Sequence, residues 1–260
     1  MGVLNCTPDS FYDGGARPTV EAAVAWARQM IDDGADIIDV GGESTRPGSV
    51  PVGEAEQIRR TVPVIAGIRT FWDGPISIDT TRAGVAAKAI EAGATWINDI
   101  SALEDDPGMV TLAAETCVNL VLMHMQGAPG TMQVAPRYGD VVEEVAEFLE
   151  ERAAFAYSYG VFQENIVLDP GIGFGKTLEH NLAILRHLDR FTSFGCPVLI
   201  GASRKSFIGA ITGEEVSDRL EGSLATAVWA SLRGARIVRV HDVRATRRAL
   251  DVLWAIRQAR

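Results

Sequence analysis

The stretch NIVLDPGIGFGKT, residues 165–177, contains the unit from which the fold can be predicted. It begins with a short apolar run that lacks polar alternation and is typical of a strand buried on both faces. Asp169 stands at the end of that run, and a Pro-Gly turn then opens a glycine-rich loop. This pattern, a buried strand with a polar residue at its carboxyl end, recurs along the rest of the chain.

The tail of the stretch, Gly-Lys-Thr, resembles the end of a phosphate-binding P-loop, but the spacing does not fit. A P-loop requires a glycine five residues before Gly175, and that position is Pro170. A dinucleotide fingerprint beginning at Gly171 would require a glycine where Lys176 stands. The loop instead carries Phe174, for which two interpretations stay open: an exposed surface on which a flat substrate stacks, or a plug over the mouth of the fold.

Composition predicts a cytoplasmic globular protein with an acidic surface. Apolar residues make up 47% of the 260 residues, and the formal net charge is −10. This charge argues against a nucleic-acid partner, which requires a basic face, although a few Arg and Lys could still bind a small anion. No apolar run approaches the ~18 residues of a membrane helix. Three widely spaced cysteines, Cys6, Cys117 and Cys196, predict free thiols in a reducing compartment.

Eight short apolar runs predict an α/β protein, a single (β/α)8 barrel domain over residues 1–260. Segments with helical spacing separate the runs; in residues 19–33, for example, Thr19 is placed as an N-cap. Eight alternations favour the barrel over a doubly wound open sheet, whose dinucleotide fingerprint is missing. The runs lie at residues 2–5, 35–40, 75–80, 95–99, 118–124, 165–169, 197–203 and 236–241.

A polar residue ends each predicted strand. In a barrel these carboxyl ends meet on one face, where the active sites of barrel enzymes lie. A single Asp or Asn after a strand can equally form a turn or cap a helix, but a complete ring of polar ends predicts a functional site. The ring consists of Asn5, Asp39, Asp79, Asn98 with Asp99, His124, Asp169, Ser203 and His241.

Basic residues near the last two strands predict that the ring binds an anion. Arg239 and His241 are two residues apart on one strand, so their side chains point to the same side and suit a phosphate or diphosphate. A salt bridge from Arg239 to a neighbouring carboxylate is the alternative interpretation. Lys205, after the seventh strand, could form a Schiff base or bind an anion or carbonyl group. The Met-His-Met run at 123–125 is more typical of a packed histidine than of a metal site.

The motifs of the chain resemble, in order and spacing, those of the dihydropteroate synthase family. The matching motifs are MGVLNCTPDSFYDGG, DVGGESTRPG, SIDTTRAGVA, INDIS, VLMHMQGAPGTMQ, LDPGIGFGKT, GASRKSFIG and RVHDV, which together span essentially the whole chain. The resemblance implies a (β/α)8 barrel that joins 6-hydroxymethyl-7,8-dihydropterin diphosphate to p-aminobenzoate in folate synthesis, with release of pyrophosphate. Cys6 and Tyr12 depart from the family pattern, outside the implied pterin ligands.

The resemblance also implies which residues bind the pterin. Its pyrimidine edge offers donors to carboxylates and acceptors to an amide and an ammonium group. An analogue without those donors would leave a buried carboxylate unpaired and would be rejected. The matching pterin ligands are Asp79, Asn98, Met123, Asp169, Lys205 and Arg239.

By the same resemblance, Asn5, Arg239 and His241 bind the diphosphate, and Asn5 contacts Mg²⁺. The implied mechanism is dissociative: diphosphate leaves with the help of Mg²⁺, and the arylamine attacks the pterin methylene cation. Neutralising the leaving charge is electrostatic catalysis and needs no side-chain nucleophile. The residues predicted to be catalytic are Asp79, Lys205, Arg239 and His241.

Two closing loops and the p-aminobenzoate site are implied as well. Residues 6–18 and 41–53 resemble mobile segments that close over the substrates and exclude water, which would otherwise trap the cation. The first loop supplies Asp9, Phe11 and Asp13. The matching p-aminobenzoate ligands are Thr45, Arg46, Pro47, Phe174, Lys205 and Ser206.

Three other functions are compatible with parts of the sequence. A pterin-dependent methyltransferase would share the pterin pocket but would not need the SRKS and RVHD motifs. A Schiff-base aldolase would use Lys205 covalently. A barrel that binds pterin without turnover would not need both loops and the anion-binding residues.

The resemblance further implies a homodimer, since the family is commonly dimeric. Apolar residues near the end of the chain could serve that interface, and packing on the barrel is the alternative account of them. They are Val243, Leu250, Val252, Leu253 and Ile256.

Overall fold

The computed structural model describes residues 1–7, 19–44 and 51–259 of the chain. The predicted residues of the first closing loop and three of the predicted p-aminobenzoate ligands lie outside these ranges. They are Asp9, Phe11 and Asp13, and Thr45, Arg46 and Pro47.

Within the described residues, eight parallel strands form a closed barrel. The first six strands pair in sequence order, and the last two pair with each other. Parallel bridges from Leu168 to Val198 and from Gly2 to Val240 join the two sheets at both edges. The strands are β1 Gly2–Asn5, β2 Ile38–Gly41, β3 Ile76–Asp79, β4 Trp96–Asp99, β5 Asn119–Met123, β6 Ile166–Asp169, β7 Leu199–Ile200 and β8 Ile237–Val238.

Helices cover the outside of the barrel. The described residues form α1 Val20–Asp32, α2 Glu54–Arg69, α3 Ala83–Glu91, α4 Gly108–Thr116, α5 Val141–Ser158, α6 Leu178–Arg186, α7 Leu188–Thr192, α8 Ser206–Thr212, α9 Leu220–Leu232 and α10 Val243–Gln258. Short 3-10 turns lie at Gln163–Asn165 and Val216–Asp218. None of these helices is long and apolar enough to span a membrane.

The barrel predicted from the apolar runs is confirmed, with local differences. The Thr19 side chain accepts from the amide of Ala22, as expected of an N-cap. The sequence predicts one helix after each strand, but two strands are followed by two helices each. Helices α6 and α7 follow β6 and meet at His187, and α8 and α9 follow β7. Strands β7 and β8 are shorter than predicted, and at their amino ends the amides of Arg236 and Ile237 both donate to the carbonyl of Val198, an arrangement like a bulge.

Alternation along the strands divides the core into two parts. Outward residues such as Leu120 and Ile166 belong to the large cluster under the helices. Inward residues near the amino ends of the strands form a separate apolar cluster that fills the lower half of the barrel. This inner cluster consists of Met1, Ile37, Val121, Val167 and Leu199, with Trp96 and Ile237 packed against it.

Candidate active site

Polar side chains lie directly above the apolar inner cluster, because residues two apart on a strand point to the same side. On five strands, the residue two positions after a member of the apolar cluster points to the same interior, one layer higher. On four of these strands that residue has a charged or amide side chain. The pairs are Ile37 and Asp39, Trp96 and Asn98, Val121 and Met123, Val167 and Asp169, and Ile237 and Arg239.

Arg239 lies in this layer and is shared by two carboxylates. Its Nε donates to Asp39 Oδ2, and one of its terminal nitrogens donates to Asp79 Oδ2, both at 2.6 Å. Burial acts to lower the pKa of Arg239, but the charges of Asp39 and Asp79 outweigh it and raise that pKa, so the guanidinium stays charged. The salt bridge that the sequence left as an alternative is confirmed, and about a fifth of the side chain, 21%, is still exposed.

Asp39 is a site residue to which the sequence analysis gave no ligand role. It is fully buried and accepts from Asn98 Nδ2 at 3.3 Å as well as from Arg239. Its Oδ1 and the neighbouring Ser77 Oγ have no hydrogen-bond partner among the described residues. The sequence signal was an aspartate inside the apolar run ADIIDV, where a charge is costly unless it is paired.

Two glycines leave an opening between the polar side chains. A Cβ at Gly41 would stand 3.6 Å from Asn5 Oδ1 and from Asp79 Cβ. A Cβ at Gly201 would stand 3.9 Å from Asp169 Oδ2 and from Arg239 Cβ. Because both glycines occupy inward positions, a larger residue at either would fill the space that the polar groups surround.

The carboxylates in the barrel are held out of water. Burial raises the pKa of Asp79, against the lowering effect of Arg239. Burial also raises the pKa of Asp169 to about 6, against the hydrogen bond that its Oδ1 accepts from the amide of Gly171 at 2.8 Å. Groups with shifted pKa values that converge on one opening are typical of functional sites.

Phe174 does not provide the exposed stacking surface considered from the sequence. Only 8% of the residue is exposed, and it packs with Ile100, Met123 and Met132. The Lys205 ammonium lies 4.0 Å from the centroid of its ring, a cation–π contact. This burial agrees with the alternative interpretation, in which Phe174 packs over the barrel.

Close backbone approach and hydrogen bonds join the glycine-rich loop after β6 to the segment after β5. Gly171 has a φ of +68°, and a Cβ there would collide with the carbonyl oxygen of His124. Gln133 Nε2 donates to the carbonyl of Gly173 at 2.6 Å, and the Tyr138 hydroxyl donates to that of Gly175 at 2.9 Å. These glycines allow close approach to the segment after β5.

The loops after β7 and β8 are joined to each other. The ring Nδ1 and the backbone amide of His241 lie 3.1 and 3.2 Å from Ser203 Oγ. Arg204, at a φ of +58°, makes two hydrogen bonds of 2.6 and 2.8 Å to Asp242. These hydrogen bonds link the loop that carries Lys205 to the loop that carries the exposed His241.

The structure brings most of the described predicted residues to one end of the barrel. Arg239 contacts Asp79 directly, and Asp39 accepts hydrogen bonds from both Arg239 and Asn98. Lys205 lies close enough to Asp79 and Asp169 to lower the pKa of each. Ser206 is exposed at the start of α8, without a described contact to the other predicted residues. An α/β barrel with a charged opening at the carboxyl ends of its strands has the architecture of a barrel enzyme.

Comparisons with known proteins identify the class. The family model described as pterin binding enzyme matches residues 1–241. Dihydropteroate synthase of Escherichia coli (strain K12) is 47% identical over 260 residues, which cover 100% of this chain and 92% of that protein. Dihydropteroate synthase of Synechocystis sp. is 46% identical over 258 residues, 98% of this chain and 89% of the relative.

Solved structures agree with these relatives. Xanthomonas albilineans dihydropteroate synthase with 4-aminobenzoic acid superposes with a TM-score of 0.94 at 45% identity, covering 100% of this chain and 93% of that one. The Yersinia pestis enzyme in a sulfonamide complex gives a TM-score of 0.94 at 42% identity, covering 99% and 94%. The chain therefore belongs to the pterin-binding enzyme family and, within it, to the dihydropteroate synthases. The predicted transferase class is confirmed.

Replacing Asp169 by Asn should stabilise the free protein at pH 8. The folded-state pKa of Asp169, about 6, lies above the ordinary aspartate value of 3.8. The folded protein therefore favours the protonated form, and stability present below pH 4 is lost as the pH rises through 6. Asparagine carries no charge, so the Asp169→Asn variant does not bury a carboxylate at pH 8. We expect the free energy of unfolding of this variant in urea to exceed that of the wild type by ~1–2 kcal/mol at pH 8 and to match it at pH 4.

The exposed Asp32→Asn, at the end of α1, is the matched control for the change from aspartate to asparagine. Equal effects of Asp169→Asn at pH 4 and pH 8 would contradict the raised pKa.

Proposed function

We propose that this chain condenses 6-hydroxymethyl-7,8-dihydropterin diphosphate with p-aminobenzoate at the carboxyl end of its barrel, acting as a single domain. The observation that carries the proposal is the buried polar layer around the openings at Gly41 and Gly201. Similar proteins support the substrates, since structures of the Xanthomonas albilineans enzyme hold 4-aminobenzoic acid and 7,8-dihydropteroate.

The pterin edge is assigned to Asp79, Asn98 and Asp169. Their carboxylate and amide groups complement the donors and acceptors of a 2-amino-4-oxo pyrimidine ring. Asp169 suits this role because Gly171 engages only Oδ1, while Oδ2 flanks the opening at Gly201. A ligand that donates N–H groups to Asp169 favours its ionised form, so pterin binding should strengthen as the pH rises through 6.

The leaving diphosphate is assigned to Asn5, Arg239 and His241. The C–O bond to the diphosphate breaks first, and the arylamine nitrogen then forms the new C–N bond and loses its proton to solvent. Arg239 offers fixed positive charge, because Asp39 and Asp79 hold its guanidinium in place. This route requires no side-chain nucleophile, and Lys205 acts as a cation rather than as a Schiff base.

Asn5 is also assigned to Mg²⁺. The described residues contain no group of three His, Cys, Asp or Glu that could hold a metal alone. Mg²⁺ in phosphoryl sites is usually held by one or two protein oxygens together with substrate phosphates and water, and the amide oxygen of Asn5 at the end of β1 fits that pattern. When bound, Mg²⁺ would neutralise charge on the diphosphate.

The p-aminobenzoate ring is assigned to the mouth of the barrel beside Lys205, Ser206 and Phe174. The Phe174 ring lies against the Lys205 ammonium, and Met123 packs in the same apolar cluster as Phe174. The remaining predicted ligands of this substrate and the first closing loop lie outside the described residues.

The deciding assay mixes the pterin diphosphate, p-aminobenzoate and Mg²⁺ with folded protein and follows pyrophosphate release. We expect release that depends on p-aminobenzoate. Asp169→Asn should raise the KM for the pterin substrate at least ~10-fold, because one charged acceptor is lost, and leave the KM for p-aminobenzoate within ~2-fold. No p-aminobenzoate-dependent release, or equal losses for both substrates, would contradict the proposal or the assigned role.

Removal of Mg²⁺ with EDTA should stop pyrophosphate release, and added Mg²⁺ should restore it. Asn5→Ala should raise the Mg²⁺ concentration for half-maximal rate by ~10-fold, because one of few protein ligands is lost. An unchanged Mg²⁺ requirement in a folded Asn5→Ala variant would show that Asn5 is not a ligand.

A homodimer is proposed through α9 and α10. Large apolar side chains on these adjacent helices are exposed, and Trp254 is 59% exposed. The others are Trp229, Leu232, Val252 and Ile256. Such a patch marks an interface more often than a free surface.

We also propose that the protein works in the cytoplasm. Its three cysteines are free thiols, which suits a reducing compartment.

Trp254→Glu should convert a dimer into a monomer, because a charge would be buried at the interface. Sedimentation velocity would measure the change, with Trp26→Glu, on exposed α1, as the control that stays dimeric. A wild-type protein that is monomeric at micromolar concentration would contradict the proposal.

A further inference from the structure

Lys176 is a buried lysine beside the proposed pterin pocket, and the mechanism above does not use it. It belongs to the Gly-Lys-Thr tail whose spacing excludes a P-loop, and it is only 3% exposed. A lysine this buried is rare unless its ammonium is paired, so its partners indicate its role.

The Lys176 ammonium has three acceptors within reach. Nζ lies 2.9 Å from His124 Nδ1, 3.0 Å from the carbonyl oxygen of Phe174 and 3.4 Å from that of His124. An ammonium group only donates, so His124 accepts at Nδ1 and is neutral, with its proton on Nε2. Burial and the Lys176 charge lower the pKa of His124 to about 3, in agreement with that state.

These contacts tie the end of β5 to the loop that carries Phe174. The Phe174 ring in turn lies under the Lys205 ammonium at 4.0 Å. Lys176 therefore binds the backbone of the same residue whose ring contacts Lys205.

Lys176 also lies close to Asp169 and acts on it through charge: the amide of Gly171 donates to Asp169 Oδ1, and a Cβ at Gly171 would stand 3.4 Å from Lys176 Nζ. Burial raises the pKa of Asp169, and the charges of Lys205, Arg239 and Lys176 oppose that effect. Burial lowers the pKa of Lys176 to about 7, while the charge of Asp169 raises it and that of Lys205 lowers it further. Lys176 and Asp169 therefore stabilise each other's charged forms.

We propose that Lys176 is a positioning residue for the transfer reaction: it fixes Phe174 beneath Lys205 and keeps a positive charge beside Asp169. This inference rests on the proposed function. Loss of the amine should weaken p-aminobenzoate binding through the Phe174 loop, and loss of the charge should make Asp169 harder to ionise.

Lys176→Met tests both effects, because methionine has a similar length without charge or donors. We expect the KM for p-aminobenzoate to rise ~10-fold, and the acid limb of kcat/KM for the pterin substrate to move up by roughly 0.5–1 pH unit. The exposed Lys88→Met, which loses only a pair with Glu91, should change neither.

Lys176→Gln provides a second variant that keeps amide donors but lacks the charge. It should show the shift of the acid limb with a smaller rise in the KM for p-aminobenzoate. Circular dichroism and thermal unfolding would verify that each variant is folded.

The outcomes separate the two proposals. A wild-type enzyme without p-aminobenzoate-dependent pyrophosphate release would overturn the proposed function itself. An active wild type whose folded Lys176 variants keep the wild-type KM and acid limb would overturn only the inference. Loss of folded protein in both variants would also overturn it, since Lys176 would then serve stability alone.

Discussion

The pairing of one guanidinium with two buried carboxylates is the interaction on which the site depends. Arg239 follows the two-residue strand β8, and its partners Asp39 and Asp79 lie on β2 and β3. A charge in the barrel interior costs several kcal/mol unless it is paired, and removal of one partner typically costs ~3–5 kcal/mol. The pairing therefore links the last strand to the first half of the barrel where the backbone ladder is short.

The same pairing sets the electrostatics of the pocket. Asp39 is fully buried and holds Arg239 in one orientation, while the exposed part of the guanidinium remains at the opening. Burial raises the pKa values of Asp79 and Asp169, and the positive charge of Arg239 opposes that rise. The site thus keeps polar groups that destabilise the free protein, a usual cost of function.

Several glycines of this barrel matter because they lack a side chain, and not only because their backbone is free to adopt a positive φ. Gly41 and Gly201 open the pocket because they lack side chains, whereas Gly171 lets the β6 loop lie against His124. The loop is then fixed by hydrogen bonds, including those from Lys176, so Phe174 is a buried wall with Lys205 on its face. A preorganised wall of this kind limits the motion needed to position a second substrate.

The sequence by itself determined the eight strands, their order and the ring of polar strand ends, because alternation and the length of an apolar run are local properties of the chain. The family motifs determined the class of enzyme. Only the tertiary structure decided that Arg239 pairs with Asp39 and Asp79, that Phe174 is buried, and that Lys176 meets His124. The residues of the three polar pairs are 200, 160 and 52 positions apart. Closure of the barrel brings Arg239 to Asp39 and Asp79, and the pairing of β5 with β6 brings Lys176 to His124. A local pattern in the sequence does not specify side-chain partners at such separations.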